Sequence, residues 1–317
     1  ALLSEGVEFA NLALVVVDAQ HRFGVEQRSA LTSRADDGRA HVLYMTATPI
    51  PRTIALTAFG DLMVSVIRRR PPGRSPVATE WVREPDRDEA YARVREELRA
   101  GRRAYVICPR VEQDTDGRRS AIAEAERLAA GPFSGFSVGL AHGAQSSEDK
   151  RQAMLDFAEG RTDLLVATTV VEVGIDVAEA TVIVIEDAER FGLAQLHQLR
   201  GRVGRGRDAG LCLLFGEPSN EEGARRLEAM TQVSDGFALA ELDLEMRGEG
   251  TVLGARQSGT TDLRFARLAR DRRELAEARH LARKALDRDP QLRADVHAPL
   301  RGAVLERFPD IPRLLEA

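Results

Sequence analysis

Lysine is almost missing from this sequence of 317 residues. Lys150 and Lys284 are the only lysines, so arginine supplies all the rest of the 45 basic residues. Neither lysine follows a glycine-rich loop or precedes Ser or Thr. A P-loop needs the tripeptide GK[ST], because backbone amides and the lysine together surround the β- and γ-phosphates of a nucleotide. These residues therefore contain no Walker A motif.

Cysteines are few and long apolar runs are missing. Cys108 and Cys212 each lie in an apolar segment, which indicates buried, reduced thiols and neither a disulfide nor a zinc site. No apolar run approaches the roughly 20 residues of a membrane span, and no basic segment followed by an apolar stretch opens the sequence. The sequence therefore predicts a cytoplasmic protein without a membrane partner.

The composition is that of a globular protein, with 43% hydrophobic residues, 30% charged residues and a net charge of −5. This charge argues against a uniformly basic surface for nucleic acid, but it allows a local basic stripe. The length allows roughly two to three domains.

Apolar runs and helical patterns alternate along the chain. Strands buried on both faces are predicted at residues 12–17, 42–45, 104–107, 164–166, 181–185 and 211–215. Helices are predicted at 88–100, 120–130 and 147–159, each followed by a glycine that would form a left-handed cap. The alternation predicts an α/β fold, with parallel sheets flanked by helices.

Proline and glycine in the segment 68–76, RRRPPGRSP, mark a connection between domains. We predict that residues 1–75 are the C-terminal part of a first sheet domain, because strands preceding residue 1 would be needed to cover the apolar faces of residues 14–16. Residues 76–216 would form a complete second sheet domain. Residues 217–317 would form a helical region with a glycine-rich interruption at 247–259.

The segment 195–206, QLHQLRGRVGRG, combines three arginines with three glycines. Guanidinium groups offer paired donors to phosphate oxygens, and glycines let the backbone approach a ligand closely. Arginines that reach the γ-phosphate of a nucleotide stabilise the charge that develops during phosphoryl transfer. The segment therefore favours a polyanion site over its alternative, a solvated basic turn.

Further motifs precede this segment in a fixed order: LALVVVDAQHRFG at 12–24, MTATPIPRT at 45–53, VGLAHGAQSSEDK at 138–150 and VATTVVEVGIDV at 166–177. Together they resemble motifs II, III, IVa, V and VI of superfamily 2 helicases, motors built from two RecA-like lobes. FGDLMVSVIRRRPPGR at 59–74 and DGFALAELDLEMRGEG at 235–250 resemble the RecG family of bacterial ATP-dependent helicases. The resemblance covers essentially the whole chain.

The resemblance implies a partial first RecA-like lobe, a complete second lobe and a helical C-terminal extension that takes part in translocation. It implies ATP and Mg²⁺ as cofactors. The implied partner is branched duplex DNA, at replication forks and Holliday junctions, with single-strand binding protein as a further partner. A monomer is expected.

The family's motif II reads DEQH, and here its glutamate is replaced by Ala19. Alanine can neither accept a proton nor orient water, so we expect slow hydrolysis and an inactive isolated chain. Both an engineered and a natural change are compatible with Ala19. The residues implied to act in catalysis are Asp18, which would also hold Mg²⁺, Gln198, Arg202 and Arg205. Further residues implied to bind the nucleotide are Gln20, His21, Gly174 and Asp176.

A second set of residues is implied to contact DNA or to couple it to the nucleotide site. It comprises Thr46, Thr48, Arg52, His142, Thr168, Thr169, Glu172, Arg247, Arg256 and Gln257. Helix caps and ordinary turns are the alternative for the threonines and for His142. Arg200 is left open between a phosphate contact and a pair with an acid such as Glu186 or Asp187.

Two other functions are considered. The transcription-repair coupling factor shares TATPIPRT, but an acid is expected at the third position of its motif II, where this chain has Gln20. A non-catalytic module that binds DNA or a protein partner would explain Ala19 and the missing GK[ST].

Overall fold

The chain is described from a computed structural model, for residues 12–18, 41–46, 63–67, 76–109, 120–169, 177–247 and 271–307. Its internal contacts divide it into two units. One comprises residues 1–49 and 69–243, and the other comprises residues 50–68 and 244–317. The domain boundaries at residues 75 and 216 remain predictions.

The first unit contains two parallel sheets. The smaller sheet pairs β1 (Leu14–Val17) with β2 (His41–Tyr44). The larger sheet contains β3 (Val77–Val82), β4 (Arg103–Ile107), β5 (Val138–Ala141), β6 (Leu164–Ala167), β7 (Ala180–Ile185) and β8 (Gly210–Phe215). Its strand order is β3-β8-β7-β4-β6-β5, and every neighbouring pair is parallel.

Six helices in the described residues belong wholly or mainly to this unit. They are α1 (Arg87–Arg99), α2 (Ala121–Ala130), α3 (Ser147–Ala158), α4 (Leu193–Arg200), α5 (Glu221–Gln232) and α6 (Gly236–Arg247). The predicted helices at 88–100, 120–130 and 147–159 are confirmed to within one residue at each end. Side chains cap three of the helices: Ser120, Ser146 and Asn220 accept a hydrogen bond from the first turn of α2, α3 and α5.

The glycines that follow three of the helices differ in their backbone conformation. Gly101 and Gly160 both have φ of 79°, so the predicted left-handed ends of α1 and α3 are confirmed. The same prediction for Gly131 is wrong, because its φ is −114°. Its amide still donates to the carbonyl of Arg127, at 3.0 Å. Residues 131–136 then continue as turns that bring Phe133 into the core.

The core lies on both faces of the larger sheet. Every residue of β6 and β7 is buried, which explains why these strands read as continuous apolar runs. On one face the ring of Tyr91 packs edge-on against Phe133 and Phe215, with 5.4 Å between the ring centres in both pairs. The predicted α/β fold, with parallel sheets flanked by helices, is therefore confirmed.

The two strands that the sequence did not predict, β3 and β5, are the two edges of this sheet. β3 reads VATEWV and contains one fully buried residue, Val82. β5 reads VGLA and is only four residues long. Edge strands keep one side near solvent, so they need no continuous apolar run.

The smaller sheet differs from its prediction. Val15 and Val17 are buried, whereas Leu14 and Val16 are 56% and 50% exposed. In β2, Leu43 is 49% exposed as well. The prediction that the runs at 12–17 and 42–45 are buried on both faces is therefore wrong for this structure. Successive side chains of a strand point to opposite faces, and only one face of β1 is covered among the described residues.

The second unit contains α7 (Arg272–Arg288) and α8 (Ala298–Arg307), which are separated by a short 3₁₀ turn, Asp295–His297. The carboxylate of Asp289 fixes this connection. It accepts from the amides of Arg293 and Ala294, at 3.0 and 2.8 Å, and its Oδ2 lies 2.9 Å from Nδ1 of His297. The helical region predicted after residue 216 is confirmed by α5 to α8, but its glycine-rich interruption lies outside the described residues after Arg247.

Within the described part of the chain, the helices are too short or too polar to cross a bilayer.

Candidate functional site

Two residues predicted to contact DNA lie side by side at the carboxyl edge of the larger sheet. His142 directly follows β5, and Thr168 directly follows β6, whose last residues Ala141 and Ala167 are register partners. The amide of Thr168 donates to the carbonyl of Ala141, at 3.2 Å. His142 is 9% exposed and Thr168 is 6% exposed. Ligands of open α/β sheets bind beyond this edge, so the position suits a binding role.

The turn after His142 is fixed by a residue that the sequence did not single out, Gln145. Its Oε1 accepts from the amide of His142 at 2.9 Å, and its Nε2 donates to the carbonyl of Leu140 at 3.2 Å. The imidazole Nδ1 of His142 is buried and has no hydrogen-bond partner among the described residues. Since buried polar atoms are nearly always bonded, this nitrogen calls for an explanation.

Arg202 and Arg205 lie at the opposite edge of the sheet. Both arginines lie in the loop between α4 and β8. Because β8 runs parallel to its neighbour β7, this loop must enter β8 at the amino edge of the sheet. Both side chains are partly exposed, and Nε of Arg205 donates to the carbonyl of Gly201 at 3.0 Å. Arg202 and Arg205 therefore lie at the edge of this sheet opposite His142 and Thr168.

Close backbone packing holds the loop that carries Arg202 and Arg205. A Cβ on Gly206 would lie 2.7 Å from the carbonyl oxygen of Ala178, just before β7. Gly204 has φ of 67°, a conformation that favours glycine. The loop therefore packs against the residue that follows the motif V segment, 166–177. Gln198 lies on α4 and is partly exposed.

Arg200 is buried and bonds to backbone carbonyls, a role that the sequence did not predict. It is 6% exposed, and Nη1 donates to the carbonyls of Met230 and Val233, at 3.1 and 2.9 Å. Nη2 donates to the carbonyl of Ser234, at 3.2 Å. The last carbonyls of a helix lack partners within it and attract positive charge, so Arg200 caps the end of α5. It thereby ties α4 to the turn between α5 and α6, which is called the hairpin turn below because the resemblance implies a helical hairpin here.

His197 holds the same guanidinium from the other side. Its Nδ1 lies 3.0 Å from Nη2 of Arg200. An arginine can only donate, so this nitrogen is the acceptor and carries no proton. The proton of a neutral His197 therefore sits on Nε2.

Glu186, one of the two acids named as a candidate partner of Arg200, forms an ion pair with Arg87. Glu186 is fully buried, and both of its oxygens lie 2.8 Å from Nη1 of Arg87. Tyr91 also donates to it, at 3.2 Å. Burial by itself lowers the pKa of Arg87, but the Glu186 carboxylate outweighs this and raises it above the ordinary value. Burial, followed by the charge of Glu186, raises the pKa of Tyr91.

Glu186 directly follows β7, and its backbone lies beside the end of β4. After β4 the chain goes to the side of the sheet that holds β5 and β6, whereas after β7 it goes to the other side, to β8. The direction of the strand order therefore reverses between β4 and β7. The amide of Glu186 donates to the carbonyl of Ile107 at 2.8 Å, which places the carboxylate at that point. Ligands of open α/β sheets commonly bind beyond such a point.

In the smaller sheet, Asp18 and Thr46 follow two parallel strands and so lie at one carboxyl edge. Asp18 is exposed, and Thr46 is partly buried. In the described part of the chain no three His, Cys, Asp or Glu side chains gather as a metal site would require. A metal held by Asp18 would need other oxygen donors, such as the nucleotide phosphates and water, as Mg²⁺ commonly has.

Several predicted site residues lie outside the described residues: Gln20, His21, Thr48, Arg52, Glu172, Gly174, Asp176, Arg256 and Gln257, together with Ala19. Arg247 ends α6, but its side chain is not described. Thr169, next to Thr168, is partly exposed.

Family models match two regions of the chain. Residues 89–207 match the helicase conserved C-terminal domain. Residues 233–302 match the C-terminal part of domain 3 of the ATP-dependent DNA helicase RecG. The second match begins at the hairpin turn that Arg200 caps, and it favours RecG over the transcription-repair coupling factor.

Curated relatives and a solved structure agree with these models. The chain is 46% identical to the ATP-dependent DNA helicase RecG of Synechocystis, over 97% of the chain and 37% of that protein. It is 44% identical to RecG of Bacillus subtilis, over 96% of the chain and 45% of that protein. It therefore spans less than half the length of these relatives. A structure of RecG bound to a three-way DNA junction superposes with a TM-score of 0.66 and 44% identity, over 86% of the chain and 34% of that protein. The chain belongs to the RecG family of ATP-dependent DNA helicases.

Proposed function

We propose that this chain is part of an ATP-dependent motor that moves along duplex DNA and remodels branched DNA in recombination and repair. Replication forks and Holliday junctions are the proposed substrates. We also propose that the motor acts as a monomer in the cytoplasm, with single-strand binding protein as a further partner. Its RecG relatives are named as ATP-dependent DNA helicases, and one of them is solved on a three-way junction.

One observation carries the proposal, the capping of the hairpin by Arg200. A motor must transmit a change at its nucleotide site to the element that moves DNA. Arg200 lies two residues before Arg202, and it bonds to three carbonyls between Met230 and Ser234. A shift of α4 would therefore carry the hairpin turn with it.

The nucleotide side of the proposal rests on exposed groups at sheet edges. Arg202 and Arg205 would contact the phosphates of ATP, and Gln198 would assist them. Gln20, His21, Gly174 and Asp176 are proposed to line the same site. The Asp18 carboxylate suits Mg²⁺, which prefers oxygen ligands, and Mg²⁺ would neutralise phosphate charge when bound. With Ala19 in motif II and no GK[ST] in these residues, we expect the isolated chain not to hydrolyse ATP.

The DNA side comprises His142, Thr168 and Thr169, whose positions suit contacts to backbone phosphates. Such contacts fix the position of a protein on DNA but carry no sequence information. Thr46, Thr48, Arg52, Glu172, Arg247, Arg256 and Gln257 are proposed to contact DNA or to couple it to the nucleotide site. We therefore expect sequence-independent binding that weakens as salt rises.

Fluorescence anisotropy with a labelled three-way junction tests the proposal. The chain should bind weakly at 50 mM salt and more weakly still at 200 mM, with a linear slope in a log–log plot. Thr168→Ala should weaken binding, whereas Thr231→Ala, an exposed threonine of α5, should not. Equal binding by these two variants would contradict the DNA role of the carboxyl edge. Robust DNA-stimulated ATP hydrolysis by the chain would contradict its expected inactivity.

A non-catalytic binding module is the second candidate, and Ala19 favours it. The variant Ala19→Glu in a protein that includes the P-loop separates the two. Restored hydrolysis would support the motor, and unchanged hydrolysis would support the module.

A further inference from the structure

We propose that one face of α7, in the second unit, binds the phosphate backbone of duplex DNA. This face carries four basic residues, which we call the basic stripe: Arg273, His280, Lys284 and Arg288. The inference rests on the proposed function, because it takes duplex DNA as the partner. It adds a contact surface that belongs to neither sheet.

The residues of the basic stripe share a face because of their spacing. The steps from one to the next are seven, four and four residues, and such steps return to the same side of a helix. All four residues are exposed. Glu277 lies in the same row, and Arg283 and Asp287 lie beside it with opposite charges. The face therefore keeps a net positive charge, although the whole chain has a net charge of −5.

Ion pairing distinguishes the basic stripe from the arginines of the first unit. Those arginines commonly lie beside an acid, as Arg93 lies beside Glu80. In the part of the chain that the structure describes, no ion pair holds Arg273, Lys284 or Arg288. Lys284 and Arg288 are four residues apart in the helix, where like charges repel each other. An anion bound beside them would remove this repulsion.

The helix dipole explains only part of this charge pattern. Cations near the end of a helix interact favourably with its dipole, which accounts for Arg288 in the last turn. Arg273 lies in the first turn, where a cation is unfavourable. An anionic ligand that runs along the whole helix accounts for both positions.

The length of the basic stripe suits one strand of a duplex. At a rise of about 1.5 Å per residue, the stripe extends roughly 22 Å along the helix axis. A DNA strand carries one phosphate about every 3.4 Å of the duplex axis, so about six phosphates span this length. A phosphate backbone therefore offers a partner to every cation of the stripe, whereas an acidic protein segment would need carboxylates at matching positions.

The salt dependence of duplex binding tests the proposal. Anisotropy of a labelled duplex gives the affinity of the 317-residue chain between about 50 and 200 mM salt. Each phosphate contact contributes about 0.9 to the slope of log affinity against log salt. The triple variant Arg273→Gln, Lys284→Gln and Arg288→Gln should therefore reduce the slope by about two to three. Glutamine forms helices about as well as lysine and arginine, so α7 should remain intact.

Arg99→Gln is the matched control, because Arg99 is an exposed arginine at the end of α1, in the first unit. This variant should keep the slope of the unmodified chain. If the unmodified chain shows no salt-dependent binding of the duplex, the proposed function fails, and the inference fails with it. If the chain binds and Thr168→Ala weakens binding, but the triple variant keeps the full slope, only the inference fails.

The scarcity of lysine allows the contact to be observed directly. Lys150 and Lys284 are the only lysines, so reductive ¹³C-methylation, which keeps the charge, labels two side chains and the N-terminus. The variant Lys284→Arg assigns the signal of Lys284. Duplex DNA should shift this signal, and Arg273→Gln with Arg288→Gln should reduce the shift. A Lys284 signal that stays unchanged while anisotropy reports binding would overturn the proposal.

The same signal separates DNA from an acidic protein partner. Poly-glutamate, added at the same concentration of negative charge, should shift the Lys284 signal less than the duplex does. A shift with poly-glutamate but none with the duplex would overturn the proposal and assign the basic stripe to an acidic protein segment.

Discussion

Removal of Glu186 should destabilise the larger sheet, because it takes away the buried counter-charge of Arg87 and leaves only the exposed carboxylate of Glu84 beside it. The carboxylate is fully buried and the side chain of Arg87 is 12% exposed. In Glu186→Met the guanidinium keeps the exposed carboxylate of Glu84, Tyr91 and the face of Phe215, 4.3 Å away, but loses its buried counter-charge. Breaking one partner of a buried pair costs about 3–5 kcal/mol. This is a large part of the roughly 5–15 kcal/mol that stabilises a domain.

Urea denaturation followed by tryptophan fluorescence measures this loss. Trp81 is the only tryptophan, lies on β3, and donates through its indole N–H to the carbonyl of Gly216 at 2.9 Å. With a slope of about 2 kcal/mol per molar urea, the midpoint should fall by roughly 1.5–2.5 M. Glu148→Gln, in the exposed pair with Arg151, should leave the midpoint unchanged.

The double variant Arg87→Met with Glu186→Met decides the cause. Replacing both charges by apolar groups removes the uncompensated charge, so the double variant should be more stable than Glu186→Met alone. Strictly additive losses would refute the reasoning, as would a loss below about 1 kcal/mol for Glu186→Met. The pair of Arg87 and Glu186 would then contribute little to the free energy of unfolding.

Three further predictions concern the hairpin, the arginine loop and the second unit. Arg200→Met should lower hydrogen-exchange protection in α5 and α6 by at least about tenfold, since bonds from a charged donor contribute about 1.5–3 kcal/mol. Gly206→Ala should cost about 1–3 kcal/mol in urea denaturation because its Cβ would meet a carbonyl at 2.7 Å, whereas Gly135→Ala, with open space around it, should be neutral. The amide of Ala294, followed by other donors, lowers the pKa of Asp289 to about 2, which ¹³C titration should reproduce. Because the folded pKa lies below the usual 3.8, this stabilisation is present above about pH 4 and lost as the pH falls through about 2.

The central strands of the larger sheet could be predicted from the sequence because polar residues are not tolerated in them. β6 and β7 are buried throughout, so only apolar residues fit them. The edges were harder to predict. Glu80 of β3 is tolerated because it pairs with Arg93 of α1 at 2.6 Å, near solvent. This charged residue interrupts the apolar run by which the strand would otherwise have been predicted.

Motif order indicated which segments to propose for the candidate site, but it did not predict the hydrogen-bond partners of their side chains. Arg200 binds carbonyls 30 to 34 residues further along the chain. Every residue has a carbonyl, so no side-chain pattern marks these acceptors. Glu186 pairs with an arginine 99 residues away, which folding alone brings near. Gln145 was missed because a single glutamine in a turn carries no motif.

The two edges of the larger sheet suggest how a motor of this kind could transmit force. The motif V segment leaves β6 at Thr168 and reaches the amino end of β7 after residue 177, where Ala178 meets Gly206 of the arginine loop. β7, buried along its whole length, joins that end to the carboxyl edge. Closely packed strands deform little, so a push on Arg202 or Arg205 would move Thr168 together with the sheet. The hairpin turn, held by Arg200, would follow the same movement. Under the proposed function, a nucleotide-driven movement of Arg202 and Arg205 would therefore reach Thr168 and the turn after α5 by rigid movement of the sheet, without flexible segments inside it.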